Sequence, residues 1–172
     1  VALDLTSYIR DIPDFPKPGI IFKDITTLLM VPEALDSAIT QLAAPYRDRG
    51  IDLVVGIESR GFIFGAAVAR ELKAGFVPVR KPGKLPAETL SASYELEYGT
   101  DSVEIHQDAV KPAQRVLMVD DLLATGGTME ATCRLVEELG GEIVGIAFLI
   151  ELGFLEGRVK LSGREVSSVI QY

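Results

Sequence analysis

Two adjacent carboxylates, Asp120 and Asp121, close an apolar run that begins at Val116, and a turn of small residues follows: Ala124, Thr125, Gly126, Gly127 and Thr128. Carboxylates at the end of a buried strand can accept hydrogen bonds from sugar hydroxyls. Glycines that open a helix let backbone N–H groups approach a phosphate, where the helix dipole adds positive potential. The turn is not a Walker A loop, because no Gly-Lys-Ser/Thr follows at that spacing, and it is not a GxGxxG fingerprint. On its own the acid pair could bind a metal, act as acid and base, or hold hydroxyls. A receiver domain's phospho-acceptor pocket also uses strand-end aspartates, but it lacks the small-residue phosphate turn. An acid pair next to such a turn best fits a ribose 5-phosphate, with the carboxylates on the 2- and 3-hydroxyls and the turn on the phosphate. Negative charge beneath the ring would also stabilise an oxocarbenium-like transition state.

Two further polar clusters accompany this one. Glu58-Ser59-Arg60-Gly61 follows the apolar run Asp52–Ile57, and Arg80, Lys81 and Lys84 gather in VRKPGKLP. A cation cluster on a chain of net charge −8 suggests a small polyanionic ligand, the alternative being a solvated basic loop. The same net charge argues against a nucleic-acid surface. No apolar run reaches the roughly 18 residues of a membrane span. The N-terminal stretch is acidic and lacks the apolar core of a signal peptide. One cysteine, Cys133, leaves neither a disulfide framework nor a zinc cluster, and an apolar helix face is its expected place. A cytoplasmic setting is expected.

The elements that must position these clusters read as repeated strand–helix units. Strands are predicted over Asp52–Ile57, Phe76–Val79, Val116–Val119, Ile143–Ile150 and Val166–Ile170. Helices are predicted over Pro32–Arg49, Gly61–Lys73, with Gly75 as a stop signal, and Gly127–Leu139, and a short one over Leu3–Arg10. The proline-rich Pro13–Ile20 must be an extended arm. The alternation implies an α/β fold, a doubly wound and mostly parallel sheet with flanking helices, within a single domain over 1–172. Ligands of such sheets bind at the carboxyl ends of the strands, where all three polar clusters fall. Between Gly83 and Lys111 the pattern changes to a hairpin, read as a functional flap, with a plain antiparallel extension as the alternative. His106, on its outer arm, pairs with no chemistry.

VLMVDDLLATGGT resembles the phosphoribosyl pyrophosphate motif of the type I phosphoribosyltransferases. PDFPKPGIIFKDIT, GIESRGFIFG, VRKPGKLP and SYELEYGT are similar, in the same order, to the adenine-specific branch of that family. The core motif specifies only the superfamily; the arm and the SYELEYGT flap select the branch. The resemblance implies a small N-terminal hood over about 1–32, a flap over about 83–111, and transfer of ribose 5-phosphate from phosphoribosyl pyrophosphate to adenine, giving AMP and pyrophosphate in purine salvage. Mg²⁺ would ride on the donor rather than in an all-protein cage, and a homodimer is expected.

The resemblance also distributes roles. Asp120, Asp121, Ala124, Thr125, Gly126, Gly127 and Thr128 would hold the ribose 5-phosphate. Glu58, Ser59, Arg60, Gly61, Arg80, Lys81 and Lys84 would serve the pyrophosphate, with a cis peptide expected at Glu58–Ser59. Glu97 matches the catalytic glutamate of the flap, either as general base or as orienting group. Only the motif register separates it from Glu95 and Glu104. Tyr94 and Tyr98 would help close the flap and exclude water. Phe22 would stack on one face of adenine with Leu152 opposite, plain core packing being the alternative for both, and Ile21 backbone groups would read the Watson–Crick edge. Lys23 stands where some relatives carry arginine; it keeps the charge without the planar fork. Two rival readings share the core: another purine phosphoribosyltransferase, and a non-catalytic regulator that senses phosphoribosyl pyrophosphate.

Overall fold

The computed structural model describes residues 2–96 and 98–172. Its centre is a five-stranded parallel sheet of order β4-β3-β7-β8-β9, formed by β3 (Leu53–Ile57), β4 (Gly75–Val79), β7 (Arg115–Leu123), β8 (Glu142–Glu151) and β9 (Val166–Gln171). Val54, Val55, Leu117, Met118, Val119, Ile146 and Leu149 are fully buried, which is why these strands are apolar without alternation. Helices α2 (Pro32–Ala43) and α3 (Arg60–Leu72) enclose one core cluster with Leu42, Tyr46, Phe64 and Leu117. Helix α4 (Gly127–Glu138) covers the other, with Met118, Cys133, Leu135 and Phe148. Burial raises the Cys133 thiol to about 12, so it is a packing residue.

Two antiparallel hairpins flank the sheet. The first pairs β1 (Arg10–Pro13) with β2 (Ile21–Asp24) and is followed by the single turn α1 (Thr26–Leu29). The second pairs β5 (Thr89–Glu95) with β6 (Thr100–His106). Its inner face, Ala92, Tyr94, Val103 and Ile105, is buried against α4 and the sheet, so the hairpin body is part of the core. The main-chain groups of Arg80 and Glu104 exchange two hydrogen bonds, of 3.0 and 2.7 Å, which tie it to the end of β4.

Several boundaries differ from the sequence reading for local reasons. α2 stops at Ala43, not Arg49, because Pro45 has no N–H for the helical ladder; a 3-10 turn, Ala44–Tyr46, replaces it. The segment Leu3–Arg10 forms a 3-10 turn at Thr6–Tyr8, and Arg10 already belongs to β1. Lys73, at φ +56°, makes the left-handed cap of α3, and Gly75 opens β4 instead of ending the helix. β7 runs on to Leu123 because β8 pairs with it as far as Glu151, so the acid pair lies inside the strand.

Candidate active site

β3 and β7 are neighbours, and the chain leaves them in opposite directions: β4 lies beyond β3, and β8 and β9 lie beyond β7. Such a switch point is where open α/β sheets bind ligands. A cleft of about 380 Å³ opens there, lined by Glu58, Ser59 and Arg60 from the β3–α3 turn and by Asp120, Asp121 and Ala124 to Thr128 from the β7–α4 turn. Lys81 reaches the same cleft from the end of β4.

The β7–α4 turn presents unclaimed donors. α4 begins at Gly127 with Gly126 as its N-cap residue, at φ +88°, and no side-chain hydrogen bond caps it. The first-turn N–H groups of a helix have no partner within the helix, so here they face the cleft with the dipole behind them. Gly126 is forced by packing as well as by φ: a Cβ there would sit 2.6 Å from the Gly157 carbonyl oxygen. Gly157 is equally constrained, since its own Cβ would lie 2.5 Å from the Ala124 carbonyl oxygen. Gly157 therefore backs the turn, a role invisible in a motif scan because it lies in a distant 3-10 segment. A Cβ at Gly127 would meet Tyr94 and Lys160 only at ordinary distances of 3.5 to 3.9 Å.

The acid pair is asymmetric. Asp121 is buried and accepts a 2.6 Å hydrogen bond from Arg60 Nε. Asp120 Oδ1 accepts the Asp121 N–H at 2.8 Å and lies against Gly61, where a Cβ would come within 2.7 Å of it. Gly61 thus lets the start of α3 close on β7. Burial pushes the Asp120 carboxyl well above the usual carboxylate range, and the Asp121 charge beside it pushes the same way. Burial opposes the Arg60 charge, but the Asp121 hydrogen bond and field outweigh it and raise its pKa.

Each cation of the expected pyrophosphate site has a carboxylate partner. Glu58 gathers three of the contacts: Lys84 Nζ at 2.9 Å, Arg80 Nε at 3.3 Å, and the Lys81 main-chain N–H at 2.6 Å. Burial pushes the Glu58 carboxyl up, yet the Lys84 and Lys81 hydrogen bonds leave it below its ordinary value. The Lys81 ammonium is held by the hairpin, by Tyr94 Oη at 2.6 Å and Asp101 Oδ2 at 2.5 Å. Lys81 holds the Asp101 carboxyl below its ordinary value. The Glu58–Ser59 peptide is cis.

The residues expected to hold a base lie on two other elements. Phe22, in β2, has the Arg60 guanidinium 5.6 Å from its ring centroid, which links the first hairpin to the cleft. Ile21 is exposed, opposite Pro13 in the strand pair. The Lys23 ammonium points to Asp11 Oδ1, at 2.7 Å, and over the Tyr172 ring, at 3.9 Å. Leu152 follows β8, donates its N–H to the Leu123 carbonyl at 2.9 Å and packs against the core. Tyr98 is 84% exposed beside the hairpin turn. Glu97 lies outside the described residues. His106 Nε2 accepts the Ala87 N–H at 3.2 Å. Among the described residues, no group of three or more His, Cys, Asp or Glu could hold a metal ion, and no helix is long and apolar enough to cross a membrane.

A family model, the phosphoribosyl transferase domain, matches residues 26–167. The chain is 62% identical over 170 residues to the adenine phosphoribosyltransferase of Alkaliphilus metalliredigens, covering 99% of this chain and 100% of that one. The crystal structure of adenine phosphoribosyltransferase from Thermoanaerobacter pseudethanolicus superposes with a TM-score of 0.95 at 58% identity, over 98% of both chains. The Saccharomyces cerevisiae enzyme, solved with an imino-altritol bisphosphate and adenine, superposes with a TM-score of 0.91 at 41% identity, over 96% of both chains. The chain therefore belongs to the phosphoribosyltransferase family and, within it, to the adenine phosphoribosyltransferases.

Proposed function

We propose that this chain transfers ribose 5-phosphate from phosphoribosyl pyrophosphate to adenine, releasing AMP and pyrophosphate. The observation that carries this reading is the uncapped start of α4 beside the Asp120–Asp121 pair, facing Arg60 and Lys81 across one cleft. The N–H groups of Thr125 to Thr128 take the 5-phosphate. Asp120 and Asp121 accept from the ribose hydroxyls, and the Asp121 carboxylate stabilises positive charge as it develops on the ring. Arg60 and Lys81, with Arg80 and Lys84 behind them, exchange carboxylate partners for pyrophosphate oxygens, so the site presents cations already gathered by Glu58, Asp101 and Asp121.

The base seat is the gap between Phe22 and Leu152. Pro13, opposite Ile21, has no N–H and makes no claim on the Ile21 carbonyl, which supports that carbonyl as acceptor for the exocyclic amine of adenine. A 6-oxo purine would leave it unpaired, a mismatch worth about 2–4 kcal/mol. The Saccharomyces relative, solved with adenine, supports the same choice. Lys23 serves this seat from behind, since its ammonium is engaged by Asp11 and Tyr172. Glu97 is assigned to the purine, assisting proton movement as N9 attacks the anomeric carbon, and Tyr98 to excluding water.

Mg²⁺ fits as a companion of the donor. Among the described residues, the carboxyl groups on the β7 side of the cleft are Asp120 and Asp121, and Asp121 is already engaged by Arg60. When bound with the donor, the ion would supply positive charge against the departing pyrophosphate. A homodimer and a cytoplasmic setting belong to the same reading; light scattering and cell fractionation test them. The activity is tested by mixing the pure chain with adenine, phosphoribosyl pyrophosphate and Mg²⁺. AMP and pyrophosphate in equal amounts are expected. Binding of the donor without turnover would leave the sensing-regulator reading standing instead.

A further inference from the structure

We propose that Tyr172 sets the width of the base slot by bracing its two walls. The inference rests on the reading above, in which Phe22 and Leu152 flank adenine. Those walls belong to separate elements. Leu152 is fixed to the main sheet through Leu123, whereas Phe22 sits in a two-stranded hairpin outside that sheet. An isolated two-stranded hairpin has little stability of its own, so the position of Phe22 depends on the few contacts that cross to the body. Tyr172 makes contacts on both sides. Its ring lies 3.9 Å from the ammonium of Lys23, the neighbour of Phe22. Its main-chain N–H donates to the Glu151 carbonyl and its main-chain oxygen accepts the Gly153 N–H, both at 2.9 Å, so it holds the residues on either side of Leu152.

The Lys23 side chain is only 13% exposed, which favours the contact over a freely hydrated one, because a partly desolvated cation gains more from an aromatic face. Its partner Asp11 is 57% exposed and supplies aim more than energy. Tyr172 also packs against the core cluster that contains Ile150 and Ile170, so the ring is a fixed platform. This gives Lys23 a purpose that a direct contact with adenine would not: its charge points away from the base and anchors the strand that carries Phe22. Tyr172 is thus a positioning residue for the base, with no expected effect on the donor side of the cleft.

The test separates ring from backbone, because side-chain replacement leaves both main-chain hydrogen bonds available. Tyr172→Ala should raise KM for adenine about three- to tenfold, the range such a contact supports, with KM for phosphoribosyl pyrophosphate unchanged. Tyr172→Phe keeps the ring and should match wild type. Tyr172→Leu keeps apolar packing and should behave as alanine does, which preserves the test if the alanine variant folds poorly. Lys23→Gln should give the same adenine-selective rise, and adding Tyr172→Ala to it should cost little more. Equal changes in both KM values, no change in either, or additive effects in the double variant would overturn the brace. A wild-type chain that binds no adenine would refute the functional reading itself, whereas normal adenine use with an unaffected Tyr172→Ala variant would refute the brace alone.

Discussion

Replacing Gly126 by alanine should unseat the phosphate turn, while the same change one residue later should not. At φ +88° an L-residue pays about 1–2 kcal/mol for the left-handed conformation. The new Cβ would also stand 2.6 Å from the Gly157 carbonyl oxygen, and that neighbour is backbone, so a loop must move. Overpacking of this kind adds about 1–3 kcal/mol. The sum, about 2–5 kcal/mol, corresponds to roughly 5–15 °C in Tm for a domain of this size. Because the displaced atoms carry the donors proposed for the 5-phosphate, KM for phosphoribosyl pyrophosphate should rise at least about tenfold. At Gly127 the nearest atom to an added Cβ is Tyr94 Cδ2 at 3.5 Å, an ordinary contact, and the residue opens a helix. Alanine there should hold stability or raise it by up to about 1 kcal/mol, with Tm unchanged or slightly higher. Thermal unfolding and steady-state kinetics on the two variants decide the matter. Wild-type behaviour of Gly126→Ala, or equal damage from Gly127→Ala, would refute the account of the turn.

Further outcomes follow from the same geometry. Asp121→Asn removes the charge that aims Arg60 and that is proposed to accept from ribose, so donor KM should rise and kcat fall, together about tenfold or more in kcat/KM; unchanged kinetics would remove the ribose assignment. Glu97→Ala should lower kcat far more than donor affinity, and full activity would return Glu97 to the status of a surface carboxylate. Asp24 is held at about 2, below the ordinary 3.8, by the Thr26 main-chain N–H, the Thr26 hydroxyl and Arg10. Since the folded value is the lower one, its contribution is present above about pH 4 and fades as pH falls toward 2. The Tm deficit of Asp24→Asn should therefore be full at pH 7 and shrink with acidification through that window; a deficit that does not shrink would contradict the linkage.

The strand–helix alternation was legible because buried parallel strands are apolar runs and helices carry their own period. The ends of elements were less legible where a partner decides them. β7 continues through Asp120 and Asp121 because β8 offers pairing as far as Glu151, which no property of VDDLL announces. The motifs likewise located both turns of the cleft, since Ala124 to Thr128 and Glu58 to Gly61 are contiguous and carry their donors locally. Residues that act through distant packing left no such mark. Gly157 is recognisable only once its Cα is seen against Ala124 and Gly126, and Asp101 only once β6 is seen beside Lys81. Of the two adjacent glycines, composition could not say which one forbids a side chain; φ and the Gly157 carbonyl do.

The central claim is that one cleft holds ribose 5-phosphate while pyrophosphate and adenine exchange at the anomeric carbon. A crystal structure of this chain with AMP tests it most directly. The phosphate is expected on the N–H groups of Thr125 to Thr128, the ribose hydroxyls on Asp120 and Asp121, and the purine between Phe22 and Leu152 with its amine on the Ile21 carbonyl. A nucleotide with its phosphate away from the start of α4, or its base outside the Phe22–Leu152 gap, would contradict it.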